Sequence, residues 1–343
     1  MAFILKTSVA GNALSFKRYP DIRVLNSIVS DQSEEGGYVA VGIGQREKLS
    51  DSTGAIMLST DFDLVPRCAK DVRGSLLWNN EDTSGGFTSV IQYDRDTFAM
   101  VGSMSDGQIQ PSQNVLVTIA NTQCEILLSR HYGQGVEAEN GQEYRYDETG
   151  TSITVVGKHL FIAGVTQKST VGVCTDPVFR DILLFRINRV GNVMFMKQYD
   201  HDGKEDIAYA VTKRNRRTRP VLTSFPPKPT RPRVDIFIAG SSVSKSFNGK
   251  VENDDVFLLN TNMWGNIKSF EIFGGAWDDG AYQANMDLEI TPDSNVLIQA
   301  NTKSFTSKQA TDQYTFLIER YDSILKQCYD LNLNLKCWPI PFS

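Results

Sequence analysis

Apolar residues in this chain come in runs of three or four, bounded by Gly, Asn and Asp, and stretches with the spacing of an amphipathic helix are almost absent. A nine-residue apolar-to-turn pattern recurs as FILKTSVAG at 3–11, IMLSTDFDL at 56–64, VLVTIANTQ at 115–123, LLFRINRVG at 183–191, FLLNTNMWG at 257–265 and FLIERYDSI at 316–324. Three copies continue through Gly-Asn (Gly11-Asn12, Gly191-Asn192, Gly265-Asn266) into a second short run that ends in Tyr19, Tyr199 or Phe273. This is the pattern of a strand, a tight turn and a strand, with turn residues that tolerate positive φ.

A second pattern alternates with the first: YVAVG at 38–42, FAMVG at 98–102, LFIAG at 160–164, IFIAG at 236–240 and the degenerate VLIQA at 296–300. Its last positions, Gly42, Gly102, Gly164, Gly240 and Ala300, are spaced by 60, 62, 76 and 60 residues. The long interval contains a basic strip, which reads as an insertion. Each copy follows another strand-like stretch, such as GFTSVIQYD at 86–94, so this pattern too is a hairpin. Six hairpins of one kind and five of the other give four short antiparallel strands per repeat of about 60 residues, the composition of a propeller blade. The expectation is an all-β chain forming one β-propeller domain over 1–343. The hairpin at 3–19 and the alternating stretch LNLNLKCWPIPF at 331–342 would share the closing blade of a six-bladed ring; five blades is the alternative. A two-domain sandwich is disfavoured because the repeat crosses any midpoint.

The segments DILLFRINRVGNVMFMKQYD at 181–200, IFIAGSS at 236–242 and DDVFLLNTNMWGNIKSFEIFGGAWDDGAY at 254–282 resemble the tandem propeller repeats common in Bacteroidota surface and secreted proteins. The resemblance covers nearly the whole chain and implies a binding platform, an adhesive module or a part of a larger assembly. Such proteins usually carry an export signal. MAFILK at the N-terminus lacks one, so the expectation is a cytoplasmic or intracellularly assembled protein, unless Met1 begins a trimmed surface protein.

Composition adds that the chain folds: 41% of its 343 residues are hydrophobic and 22% charged, with no apolar run of membrane-spanning length. The formal net charge of −5 is uneven. Lys213, Arg214, Arg216, Arg217, Arg219, Lys228, Arg231 and Arg233 lie in a stretch with no Asp or Glu, and without these eight positives the rest of the chain stands at −13. An acidic body argues against nucleic acid as a partner and permits one local anionic contact. Cys68, Cys124, Cys174, Cys328 and Cys337 are odd in number and widely spaced, with no C-x-x-C pair, so buried free thiols are expected rather than disulfides or a zinc site.

Catalytic chemistry finds little support. His131, His159 and His201 fall in different repeats, with His131 in the register of Tyr199 and Phe273; no nucleophile elbow, P-loop or dinucleotide fingerprint occurs. No Asp-x-Asp-x-Asp-Gly loop is present for calcium, and no cofactor or metal is called for. Asp254-Asp255 and Asp278-Asp279 read chiefly as turn acids. Trp78 and Trp338 read as core or closure. A ligand rim of Trp264, Trp277, Asp278 and Asp279 would suit a carbohydrate-binding or glycoside-cleaving propeller, the alternative function. The favoured expectation is a non-catalytic scaffold or interaction subunit of a multiprotein assembly, such as a virion or another large particle. Its docking arm would be the Pro-rich insertion 213–233, with the strip's arginines and lysines and Phe225 meeting an acidic protein or a neighbouring copy.

Overall fold

The computed structural model describes residues 1–45, 53–72, 85–105, 113–134, 136–139, 142–170, 180–216, 233–245, 252–273, 286–291, 295–302, 315–321 and 326–329. Among the described residues every regular element is a strand. The chain forms two compact units, Met1–Met194 and Phe195–Ser343.

In the first unit, β1 (Ala2–Thr7) and β2 (Ala13–Tyr19) form a two-stranded sheet. Then β3 (Ile22–Asp31), β4 (Gly37–Gln45), β5 (Thr53–Thr60) and β6 (Pro66–Asp71) make the first four-stranded antiparallel sheet in simple chain order. The second sheet follows the same plan with β7 (Gly85–Asp94), β8 (Thr97–Ser105), β9 (Gln113–Asn121) and β10 (Ile126–Tyr132). The third has five strands, β11 (Val136–Glu139), β12 (Gln142–Val156), β13 (His159–Thr170), β14 (Arg180–Ile187) and β15 (Val193–Tyr199), the unit boundary falling inside the last. The second unit holds the fourth sheet, β16 (Asp206–Arg216), β17 (Arg233–Lys245), β18 (Glu252–Asn262) and β19 (Ile267–Phe273). It also holds the fifth, β20 (Asp287–Ile290), β21 (Val296–Thr302), β22 (Thr315–Tyr321) and β23 (Lys326–Tyr329).

The fold is all-β, and each four-stranded meander has the strand order of a propeller blade. Both families of hairpins occur where the repeat puts them. The extra strand β11 departs from the repeat: β12 runs fifteen residues, longer than its counterparts, and β11 pairs with its leading end. The stretch 331–342, expected to close the ring with β1 and β2, lies outside the described residues, as do Trp78 and Trp338.

The second strand of a sheet is an uninterrupted apolar run because both of its faces are covered. Val39–Val41, Phe98–Val101, Leu160–Ala163 and Ile236–Ala239 are all fully buried. Val41, Met57, Phe87, Phe98, Met100 and Leu116 share one core between the first and second sheets, and Phe237, Leu258, Leu288 and Ile298 one between the fourth and fifth. Each such side chain contributes about 1.5–3 kcal/mol on burial.

The glycine that ends the second pattern has a steric cause. Opposite Gly102 the inner strand β7 bulges between Phe87 and Ser89, and a Cβ on Gly102 would fall on the Gly86 carbonyl oxygen. Gly42, Gly164 and Gly240 face the Val24, Thr149 and Ile207 carbonyls beside bulges in the same way. In the fifth sheet β20 pairs with β21 without a bulge, and Ala300 fits.

The turn between the third and fourth strands is equally regular. Its first residue, Asp61, Asn121, Asn188 or Asn262, accepts two amides of its own turn through its side-chain oxygen. Three residues on, Leu64, Cys124, Gly191 and Gly265 have φ of 64°, 59°, 79° and 70°. That corner receives an anchor from an earlier strand. Tyr19 of β2 donates its hydroxyl to the Leu64 carbonyl at 2.9 Å, Tyr132 of β10 to Gly191 at 2.8 Å and Tyr199 of β15 to Gly265 at 2.7 Å. Burial raises the phenol of Tyr132 to about 12, and that of Tyr199 further, so both stay protonated donors.

At the remaining corner the anchor is covalent: Cys68 of β6 is disulfide-bonded to Cys124. This corrects the expectation of free thiols for these two residues. They are 56 residues apart, about one repeat, so corresponding edges of successive sheets bring them together. A second correction concerns His131: Val115 pairs with Tyr132 as Val256 pairs with Phe273, so Tyr132 holds the aromatic register and His131 lies one residue before it.

Gly102→Ala, which pushes a methyl against a backbone carbonyl, will destabilise the protein by about 2 kcal/mol or more, whereas Ala300→Gly will cost about 1 kcal/mol or less. Chemical denaturation of the two variants beside the parent checks the order.

Candidate interaction surface on the fourth sheet

The basic strip begins inside the fourth sheet. Lys213, Arg214 and Arg216 belong to β16 and Arg233 opens β17, with Arg216 opposite Arg233 in the register. The insertion is therefore the connection between the sheet's first two strands. Arg217, Arg219, Phe225, Lys228 and Arg231 lie outside the described residues.

Arg214 is held within the sheet. Its guanidinium lies 3.3 Å from a carboxylate oxygen of fully buried Asp235 and 4.7 Å from the centroid of Phe237. Lys268 of β19 reaches the other Asp235 oxygen. One carboxylate thus ties β16, β17 and β19 together where the insertion leaves the sheet, and the arrangement works because both cations keep partial contact with water. Burial lowers the pKa of neighbouring Lys213.

The same end of the sheet carries the turn between β18 and β19, since Asp235 pairs with Asn262 across the β17–β18 ladder. Trp264 stands in that turn with 66% of its surface exposed, its amide fixed on the Asn262 side chain at 2.8 Å, and Ile267 beside it is exposed too. Lys197 is anchored on the same turn, 3.2 Å from the Gly265 carbonyl and 2.7 Å from the Asn266 side-chain oxygen. An exposed tryptophan on a turn pinned by these contacts, next to the root of a basic loop, can press into an apolar notch on a partner while cations meet its acidic rim. Sequence reading assigned Trp264 and the strip to two different sites; the pairing of β17 with β18 puts both at one end of one sheet.

Trp277, Asp278 and Asp279, the other members of the expected ligand rim, lie outside the described residues. Asp255 is buried on β18 opposite Ser242 of β17, at the sheet's other end. Sequence reading missed the role of Asp235, although alternation along RVDIFIAG turns Asp235 to the same face as Phe237.

Among the described residues no helix is long and apolar enough to cross a membrane. No family model matches the chain, and no curated protein matches it. A solved structure of a complex of BT0996 and RGII is similar over 76% of this chain and 77% of its own, at a TM-score of 0.35 and 7% identity.

Asp235→Ala strands two cations at the root of the insertion and will cost about 3 kcal/mol of stability. Asp235→Asn, which keeps the shape and an acceptor oxygen, will cost less; thermal unfolding of both variants checks the ranking.

Proposed function

We propose that this protein is a non-catalytic β-propeller-repeat subunit of a larger assembly, docking through the basic insertion of its fourth sheet and the adjoining Trp264. The observation that carries the reading is the exposed Trp264 beside the root of a strip with eight cations and no acid. The partner chemistry that fits is an acidic protein surface. The body of a neighbouring copy, at −13 outside the strip, supplies one, and a head-to-body contact of this kind builds extended arrays as readily as closed rings. The Cys68–Cys124 disulfide supports residence in an oxidising compartment, in keeping with the resemblance to surface and secreted propeller repeats.

Sedimentation velocity on the intact chain will give a mass above that of one chain at about 0.05 M salt, falling to one chain at about 0.5 M. Replacing residues 217–232 by a short Gly-Ser turn, which spares Arg214 and its partner Asp235, or Trp264→Ala will abolish the larger species at low salt. An intact chain that stays monomeric at every concentration and salt overturns self-docking.

A further inference from the structure

The fourth sheet's opposite end carries a chemistry that the interaction reading does not use. The connection from β15 to β16 runs Asp200-His201-Asp202-Gly203-Lys204-Glu205-Asp206, an Asp-x-Asp-Gly run closed by a further acid. Asp202 and Gly203 both have left-handed backbones, φ of 62° and 66°, and the Gly203 amide donates to Asp200 Oδ1 at 2.8 Å, which folds the loop back on itself. Carboxylate oxygens of Asp200 and Asp206 come within 4.8 Å of each other. Asp200 is exposed and Asp206 fully buried.

The preceding repeat shows what this position does without extra charge. Glu148 pairs with Thr166 on β13 as Asp206 pairs with Ser242 on β17, each two residues past the bulge-facing glycine. Glu148 accepts the Gln134 amide at 2.9 Å, and Asp206 accepts the His201 amide through Oδ2 at 2.6 Å. Gln134 and His201 each stand two residues after the anchoring tyrosine, Tyr132 or Tyr199. One buried carboxylate therefore suffices to cap the connection. Around Glu148 the neighbours are Gly133 and Asn114, packed so closely that a Cβ on Gly133 would strike the Asn114 side chain. One repeat later the residues at the positions of Asn114, Gly133 and Glu148 are Asp181, Asp200 and Asp206. An amide and a glycine have become carboxylates, which concentrates negative charge where the preceding repeat has none to spare.

Asp206 Oδ1 is also unsatisfied: it is buried and has no hydrogen-bond donor. The Ser242 hydroxyl eases the carboxylate's burial but does not reach it at hydrogen-bond geometry, and desolvation still raises Asp206 to about 6. A buried anionic oxygen without a donor, facing a second carboxylate, is completed by a cation.

We propose that the loop 200–206 is a calcium site, with Asp206 Oδ1 as its buried ligand and Asp200 as its exposed one. Two oxygens within 4.8 Å of each other can be bridged by an ion that bonds each at about 2.4 Å, the Ca²⁺–oxygen distance, and backbone carbonyls of the left-handed turn and water complete a flexible oxygen shell. The imidazole of His201 is stacked on Phe270 with centroids 4.7 Å apart, which keeps it in the packing rather than the ligand set and favours calcium over zinc.

The test is a calorimetric titration of chelator-treated full-length protein with CaCl₂, beside thermal melts with and without Ca²⁺. One equivalent is expected to bind, raising the Tm by several degrees at a saturating concentration. Asp200→Gly, which restores the residue of the preceding repeat at an exposed position, is expected to fold and to lose at least tenfold in affinity along with the Tm shift. Glu148→Gln is expected to leave calcium binding unchanged. Absence of heat and of a Tm shift with the parent protein overturns the proposal. So does a Ca²⁺ response undiminished in Asp200→Gly, or a response to ZnCl₂ with none to CaCl₂.

Discussion

A turn that reverses the chain through a left-handed corner leaves a carbonyl that needs a donor, and in this protein the donor comes from an earlier strand. Tyr19, Tyr132 and Tyr199 each give a hydroxyl to the corner carbonyl of a later hairpin, at Leu64, Gly191 and Gly265. A sheet of this kind is apolar on both faces and cannot stand alone in water, so its neighbours must be held in register. Burial of the apolar faces supplies most of the free energy and no register. The anchor supplies register, because a hydroxyl on a fixed strand position meets a carbonyl on a fixed turn position. The Cys68–Cys124 disulfide does the same with a covalent bond, between the equivalent strand and the equivalent corner.

The fourth sheet uses this frame to separate two kinds of charge. At the end where the insertion leaves, Asp235 gathers Arg214 and Lys268 beneath an exposed tryptophan turn. At the other end the fully buried Asp206 and the buried Asp255 lie on β16 and β18, either side of Ser242. Antiparallel pairing makes the polarity possible: β16 starts with Asp206 and ends with Arg216, and the strand that returns beside it starts with Arg233. Anionic surface and a cation therefore address opposite ends of one sheet, and the two proposals stand or fall separately.

Much of this architecture is written in local residue patterns. Apolar runs bounded by Asp, Asn and Gly announce the hairpins because a turn that satisfies its own amides through one side chain needs those residue types, as Asn188 and Asn262 do. What escaped the sequence depends on exact register. His131 and Tyr132 cannot be told apart by motif spacing, yet only Tyr132 reaches a corner carbonyl. Arg214 counts with the strip in sequence and belongs to Asp235 in the sheet, because alternation along β16 turns it onto Phe237. The likeness of Glu148 to Asp206 is hidden as well, since bulges in the inner strands shift the count between repeats. Cys68 and Cys124 left a readable trace, a separation of about one repeat, that becomes meaningful only when the corner and the anchoring strand are known.

The corner anchor is tested most directly by native-state hydrogen exchange on the parent protein and on Tyr199→Phe, read amide by amide. The hydroxyl holds the Gly265 carbonyl, so its loss is expected to speed exchange at the turn amides of Trp264, Gly265 and Asn266, leaving the corresponding turns at Leu64 and Cys124 unchanged. Unchanged protection at Gly265, or a uniform loss across all the turns, would contradict the claim that each anchor fixes its own corner.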